Sequence, residues 1–485
     1  MGQSTVVSTK AYGFLLDGQW LSEGSPFEVR SPYDQSVVAT TFRPTANHVD
    51  MAIQAAARAF EITRRLPAYE RQRILRAVAQ GITEQREEFA RTVAQEAGKP
   101  IKTARAEVER AIFTFTVAAE ESTRIYGEYV PLDLLPSTAG RWAMVRRFPI
   151  GPIASISPFN FPVNLVAHKW APAIAAGCTI VHKPASQTPL GSLKLAEVVE
   201  KAGWPAGALN VLPASARDAE KFVTDERLKK LTFTGSPEVG WELKKKAGKK
   251  RVTLELGGNA GVIIHSDADL EFAAERCVAG GFSYAGQSCI SVQRILVQRG
   301  VYEKFLAAFV PRVEKLEVGD PLDESTDVGP MISAQDAQRV GEWVNEAVAA
   351  GAKVLCGGKR RAAPQASVFE PTVLTETRPE MRVNCFEIFA PVVTVQPYDD
   401  FAGAVKQVND SRYGLQAGLF TRDVKLIFSA YEELEVGGVV VGDVPTFRID
   451  HMPYGGVKDS GLGREGLRYA IEEMTERKLL VMNLA

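Results

Sequence analysis

The chain has 485 residues, enough for about three domains or two large ones at roughly 150 residues per domain. Lysine plus arginine number 57 against 58 aspartate plus glutamate, a net charge of −1, so no overall field draws the chain to nucleic acid or an anionic membrane. With 45% hydrophobic and 24% charged residues it has the composition of a folded soluble protein, and no apolar run approaches the roughly 18 residues of a membrane helix.

Met1–Lys10 is polar and lacks the apolar segment of a secretory signal, and Val6 stands where a myristoylation signal needs Ser or Thr. The five cysteines (178, 277, 289, 356, 385) are scattered and form no Cys-x-x-Cys pair, which fits a reducing cytoplasm. Residues 1 to about 125 read as helix-rich: Asp50–Arg65 and Tyr69–Gly98 carry apolar residues at helical spacing. Tyr126–Pro149 alternates about a Leu135–Gly140 turn and reads as a hairpin. A lone hairpin is marginal in water, so this one needs a second surface, such as another subunit.

From Gly151 short β-branched runs alternate with helical stretches. Ile153–Ser157, Thr179–His182, Leu209–Leu212 and Lys230–Thr234 read as strands; Phe161–Ala176, Leu190–Ala202, Asp218–Thr224 and Pro237–Ala247 read as helices between them. This interval predicts βαβ units and a parallel sheet. A second series follows Gly258, with Val262–His265, Arg294–Val297, Val392–Val395 and Val439–Val441 as strands. Two α/β domains imply a cleft between them, where ligands bind.

Several motifs bear on chemistry. Gly461-Leu-Gly-Arg-Glu-Gly466 fits a dinucleotide fingerprint, but too little chain follows to complete a βαβ unit, so it reads as a glycine-rich loop. Gly235–Gly240 lacks the Lys-Ser/Thr ending of a P-loop. Phe233-Thr-Gly-Ser236 ends a strand just before a helix; it suits either an anion site at the helix N-terminus or a plain Ser N-cap with Pro at N1. Cys289, after Gly286-Gln-Ser, follows a turn rather than lying in an apolar run, which suits a nucleophile; most cysteines are structural, and Cys178 and Cys277 match that description. The five histidines lack ligand spacing around the cysteines, so no metal is expected. Glu255 lies between apolar neighbours at a strand end. Burial there would raise its pKa towards that of a general base, and the double glycine after it suggests close approach of another group.

Glu255 in Leu-Glu-Leu-Gly-Gly and Cys289 in Gly-Gln-Ser-Cys stand 34 residues apart and resemble the catalytic pair of the aldehyde dehydrogenase superfamily. So do Pro158-Phe-Asn160-Phe-Pro, Lys183-Pro-Ala-Ser, Phe233-Thr-Gly-Ser, Glu387-Ile-Phe389-Ala-Pro and Pro453-Tyr-Gly-Gly-Val-Lys-Asp-Ser-Gly-Leu-Gly-Arg-Glu465, in the family's order and spacing over nearly the whole chain. The resemblance implies an α/β fold of two Rossmann-like parallel-sheet domains plus a β-rich oligomerisation region. It divides the chain into a cofactor-binding domain at 1–124 and 146–256, a catalytic domain at 257–456, and an oligomerisation region at 125–145 and 457–485. Members of this kind include lactaldehyde, succinate-semialdehyde, phosphonoacetaldehyde and non-phosphorylating glyceraldehyde-3-phosphate dehydrogenases.

By the same resemblance, Cys289 attacks the aldehyde, the Asn160 amide and the Cys289 backbone N–H hold the oxyanion, and Glu255 activates water against the thioester. Lys169 and Glu465 match a proton relay behind that base. The cofactor, NADP or NAD, is expected against Ser157, Lys183, Ser186, Thr234, Gly235, Ser236, Leu256, Glu387 and Phe389. Ser186 departs from the Glu common in NAD-preferring members, which removes repulsion against a 2′-phosphate. Phe159, Arg110 and Arg448 are expected at the substrate. The two arginines read either as a pocket for an anionic aldehyde or as surface ion pairs, Arg110 with Glu107 and Arg448 with Asp450. Homodimers or homotetramers are implied, covering the apolar edges of the hairpin and of a terminal strand at Lys478–Ala485. Two alternatives compete. A coenzyme A-acylating member would tend to lack Glu255, and a non-catalytic protein on this fold would be expected to lack Cys289, Asn160 or Glu255.

Overall fold

The computed structural model describes residues 10–483; the reading of Met1–Lys10 as a segment without a signal lies outside the described residues, Lys10 apart. The fold is α/β, built on two large sheets. The first runs in the order Gly461–Leu462, Arg251–Glu255, Lys230–Thr234, Ile153–Ile156, Ile180–Lys183, Leu209–Val211, Phe14–Leu16, Gln19–Leu21. Its five central strands are parallel, and the outer ones pair antiparallel. The central strands are buried along most of their length because both faces are covered, and they carry apolar residues on each face. Ile153 and Ile180 point into a layer with helices Ala68–Glu84, Ile101–Glu121 and Asn164–Ala176, while Ala154 and Val181 point into the opposite layer with helix Ala46–Thr63.

Chain order reverses between strands Ile153–Ile156 and Lys230–Thr234, which are neighbours in the sheet. At such a reversal the connections leave in opposite directions and open a crevice at the carboxyl ends. Ser157–Asn160 leaves one strand there and Gly235–Ser236 the other.

The second sheet runs Lys353–Cys356, Thr372–Thr375, Val392–Tyr398, Val292–Gln298, Ala260–Ile264, Gln416–Phe420, Gly438–Val441, parallel except for its first strand. It too is covered on both faces. Val262, Ile264 and Ile295 pack against helices Leu270–Phe282, Tyr302–Glu314 and Ala334–Ala349; Ile263 and Leu296 pack against Phe401–Asn409 and Val424–Glu433.

The hairpin forms, with strands Glu128–Pro131 and Arg141–Pro149, and it does not stand alone. Thr475–Asn483 pairs along the whole of its longer strand, so the chain's own end supplies one of the expected covers. The stretch 457–485, grouped above as one region, is in fact shared out: Val457–Lys458 pairs with Tyr413–Gly414 and Gly461–Leu462 edges the first sheet. The stretch read as helix-rich differs in two places from that reading, its opening part and the segment Tyr69–Gly98. Five short strands occupy 11–43, and the helical spacing of Tyr69–Gly98 is realised as two helices, Ala68–Glu84 and Arg86–Ala97, that part at Gln85. Among the described residues no helix is long and apolar enough to cross a membrane.

Candidate active site

The two sheets meet where the chain passes from one to the other. Glu255 is the last residue of strand Arg251–Glu255, and after Leu256–Asn259 the strand Ala260–Ile264 of the second sheet begins. The groups expected beside the double glycine are there: a side chain on Gly257 would run into the Glu387 carboxylate, and one on Gly258 into the Cys289 carbonyl. The Gly258 N–H donates to Glu387 Oε1 at 2.9 Å.

The loop that carries Cys289 is held in a strained shape. Tyr284 and Ala285 sit at φ 50° and 52°, a left-handed conformation costing side-chain-bearing residues about 1–3 kcal/mol each. Anchors offset this. The Tyr284 hydroxyl donates to the Ala97 carbonyl at 2.9 Å, and the buried Gln287 amide oxygen accepts from the Ile332 N–H at 2.8 Å. Gly286 follows at φ 66°, pressed against the Ala390 carbonyl.

Asn160, in the loop beyond strand Ile153–Ile156, is buried and donates from Nδ2 to the Gln287 carbonyl at 3.0 Å. An amide carries two N–H groups, so one remains for an oxyanion beside Cys289. Cys289 keeps some exposed surface, yet burial of its sulfur pushes the thiol up to about 12; its hydrogen bond with the Tyr454 hydroxyl, at 3.3 Å, works the other way. Glu255 is 3% exposed, and neither of its oxygens has a hydrogen-bond partner among the described residues. Burial, and then the nearby Glu465 charge, raise its carboxyl well above the usual range.

Behind Glu255 lies a knot of buried charges. Lys169 donates to Thr234 Oγ1 at 2.7 Å, Thr232 Oγ1 at 3.1 Å and Glu465 Oε1 at 3.3 Å. Arg448 donates to Glu465 Oε2 at 2.9 Å, and His168 bridges that oxygen (3.2 Å) to Asp450 Oδ1 (2.9 Å). Arg110 donates to Asp450 at 2.7 Å. Burial acts to raise both carboxyls, but Lys169, His168 and Arg448 hold Glu465 well below the usual range, and His168, Arg110 and Arg448 do the same to Asp450.

This corrects the surface-pair reading of the arginines. Glu107 is buried and occupied by Lys99 and by the Val163 and Asn164 N–H groups, so it does not bind Arg110. Arg448 does face Asp450, at 3.9 Å, but it is only 5% exposed and its hydrogen bond goes to Glu465. Three cations, Arg110, Arg448 and Lys169, thus face two ionised carboxylates. Both arginine Nε groups are buried without a partner among the described residues.

Of the residues expected to hold the cofactor, Ser157, Lys183, Ser186, Thr234, Gly235, Ser236 and Leu256 lie at or just beyond the carboxyl ends of first-sheet strands, and Glu387 and Phe389 come from the segment before strand Val392–Tyr398 of the second sheet. Ser236 is exposed and accepts from the Val239 N–H at 3.5 Å as N-cap of helix Pro237–Lys246, so the cap is real and the helix N-terminus still faces the crevice. The Gly235 N–H donates to the Glu255 carbonyl at 3.1 Å, and the Leu256 N–H to the Ser460 carbonyl at 2.9 Å. The Ser157 N–H donates to the Lys183 carbonyl at 3.2 Å, and its hydroxyl meets His182 at 3.3 Å. Lys183 has no carboxylate partner among the described residues; burial, then the charge of Arg43, lower its ammonium to about 8. A half-buried, uncompensated cation beside a second one fits a phosphorylated ligand. Half-buried Ser186 follows in the same loop. Burial pushes Glu387 up to about 7, and the Phe389 ring meets Phe159 edge-on at 5.9 Å.

Sequence reasoning missed His168, Tyr454 and Arg43, and it named Asp450 only as a partner of Arg448, not of Arg110 and His168. Each meets its partner only in the fold: Arg110 and Asp450 are 340 positions apart.

A family model described as "Aldehyde dehydrogenase family" matches residues 20–480. The 3-sulfolactaldehyde dehydrogenase of Priestia aryabhattai is 45% identical over 482 residues, 99% of this chain and 100% of its own length. Among solved structures, aldehyde dehydrogenase 21 from Physcomitrella patens, in complex with the reaction product succinate, matches with a TM-score of 0.96 at 46% identity, covering 98% of this chain and 99% of that one. The glyceraldehyde-3-phosphate dehydrogenase GapN from Methanocaldococcus jannaschii, complexed with NADP, matches with a TM-score of 0.91 at 40% identity, covering 96% of this chain and 100% of that one.

The contact between Gly258 and the Cys289 carbonyl can be tested directly. Gly258→Ala should push the cysteine loop away and lower kcat/KM by roughly a hundredfold, the scale of an ångström's misplacement, with the far-ultraviolet circular dichroism unchanged. Wild-type turnover in this variant would show that the loop does not depend on that contact.

Proposed function

The chain belongs to the aldehyde dehydrogenase family, and we propose that Cys289, Asn160 and Glu255 carry its reaction and that its substrate is a small aldehyde with an anionic end. The enzyme oxidises an aldehyde to the acid with NAD or NADP. Cys289 attacks the carbonyl carbon as a thiolate, and the free Asn160 amide N–H and the Cys289 backbone N–H receive the negative oxygen. NAD(P), when bound, supplies the acceptor for the hydride, which leaves a thioester on Cys289. Glu255 then takes a proton from water as the water attacks the thioester. Its burial beside ionised Glu465 favours proton uptake, as a general base near neutrality requires. Glu465 is held ionised by Lys169, His168 and Arg448, so its part is to tune Glu255 rather than to receive the proton. The presence of Glu255 favours water over a thiol as the final acceptor.

Cofactor contacts are assigned to Ser236 and Gly235 at the pyrophosphate, Glu387 at the nicotinamide ribose, and Thr234, Leu256 and Phe389 around the nicotinamide. Ser157, Lys183 and Ser186 are assigned to the adenine ribose, with Arg43 close enough to add positive charge there. No carboxylate opposes a 2′-phosphate at Ser186, which favours NADP. We place the enzyme in the cytoplasm, where its five free cysteines stay reduced, and as a homo-oligomer. The sheet of the hairpin and Thr475–Asn483 exposes Tyr129, Met144 and Leu480 on one face and Leu479 and Val481 on the other, apolar surface that another copy would cover.

The observation that carries the substrate reading is the surplus cation around Asp450. Arg110 and Arg448 converge there with unused Nε groups, and a substrate anion would complete the balance. The substrates and products in the relatives' names point the same way: sulfolactaldehyde, succinate and glyceraldehyde 3-phosphate each carry a sulfonate, carboxylate or phosphate.

Kinetics on paired aldehydes of equal length test this. Short aldehydes with a terminal anion should outperform neutral ones, and Arg110→Ala, whose ion pair is with Asp450 and not with Glu465, should raise KM for the anionic substrate more than roughly tenfold while changing propanal much less. Equal losses on both substrates would remove the anion pocket. For the cofactor, Ser186→Glu should shift the NADP/NAD ratio of kcat/KM at least about tenfold towards NAD. An unchanged ratio would mean that residue 186 does not face the ribose.

A further inference from the structure

Tyr454 lies in the Pro453-Tyr-Gly-Gly segment, where no chemical part has yet been given to it. Its ring is fixed from several sides. The Tyr454 N–H donates to the Glu465 carbonyl at 3.1 Å, and the Glu465 N–H donates back at 2.7 Å. The ring packs with Ile290 and Leu415, with Cys289 against the same cluster, and the residue is 3% exposed. The Arg448 guanidinium stands 3.6 Å from the ring centroid. What remains polar is the hydroxyl, and it shares a hydrogen bond of 3.3 Å with the Cys289 sulfur.

That pairing answers a difficulty in the site. Burial pushes the Cys289 thiol up to about 12, and the negative charges of Glu387 and Glu255 act in the same direction. The hydrogen bond with Tyr454 is the largest influence opposing them. A donor aimed at sulfur stabilises the thiolate more than the thiol, because only the thiolate is a strong acceptor. A cation over the ring face draws electron density from the phenol and makes its O–H a better donor.

We propose that Tyr454 is a positioning residue for the nucleophile, whose hydroxyl donates a hydrogen bond to the Cys289 sulfur as the thiolate forms and holds it in place for attack. The inference rests on Cys289 being the nucleophile. Tyr454→Phe keeps the ring, its packing and its stacking on Arg448, and removes only the O–H.

The test is the pH dependence of alkylation by iodoacetamide, in which the thiolate sulfur forms the new bond to carbon and iodide leaves. Modification of the Cys289 peptide is followed by mass spectrometry, with NADP binding as the check that the variant folds. In Tyr454→Phe the alkylation midpoint should rise by about one pH unit, so that alkylation below it slows roughly tenfold. The burst of reduced cofactor should slow with it and recover as pH is raised, while NADP binds as in wild type. An alkylation profile that matches wild type, or a burst deficit of the same size at every pH, would overturn the proposal. Turnover by Cys289→Ala would instead remove the reading on which it rests.

Discussion

Glu465 is buried and yet stays ionised because Lys169, His168 and Arg448 reach it from two separate parts of the chain. Removing one partner from a buried ion pair costs about 3–5 kcal/mol, since the other charge is left without water or a counter-charge. The cluster therefore holds its elements together: helix Asn164–Ala176 brings His168 and Lys169, the loop before Tyr454 brings Arg448 and Asp450, and the segment returning through Gly461 brings Glu465. It also sets the chemistry in front of it. The same carboxylate that Lys169 and Arg448 steady repels charge on Glu255, which has no hydrogen-bond partner among the described residues.

The backbone around this cluster serves to bring groups from different sheets within reach. Reversal of chain order in the first sheet opens the crevice between Ser157 and Ser236, and the carboxyl end of strand Arg251–Glu255 delivers Glu255 beside it. From the other side the strained turn at Tyr284 and Ala285 lifts Cys289 towards the same point. Gly257 and Gly258 let the two meet, since any side chain would strike Glu387 or Cys289. Lys99 ties these parts again, standing over the rings of Phe161, next to Asn160, and Tyr284, in the cysteine loop, at 3.6 and 4.5 Å. Strain in the loop and buried charge behind Glu255 are both costs, and both fall around the same point, between the two sheets.

How much of this could be read from the residues follows from how local each cause is. The parallel strands were legible because strands covered on both faces are rich in β-branched and apolar residues, Glu255 stood out as a carboxylate between apolar neighbours, and Cys289 as a cysteine after a turn rather than in an apolar run. The close approach at Gly257–Gly258 was legible too, though not what approaches. The strands at 11–43 were missed although Asp17-Gly18 is a strong hairpin signal, with both residues at positive φ; the strands on either side are only three residues long. Of the two readings of Arg110, the pair with Glu107 fails because, although Glu107 lies one helical turn away, nothing local reveals that Lys99 and two backbone N–H groups already hold that carboxylate. His168 and Tyr454, and the pairing of Asp450 with Arg110, gain their meaning only from contacts across hundreds of positions.

The central claim is that Cys289 forms a thioester which Glu255 resolves with water. Rapid mixing of Glu255→Gln with aldehyde and NADP tests it most directly, with the intact mass of the protein followed alongside absorbance of the reduced cofactor. The account predicts a burst of about one reduced cofactor per active site, slow turnover after it, and an acyl group on the Cys289 peptide. Steady turnover at the wild-type rate with no acyl adduct would contradict it.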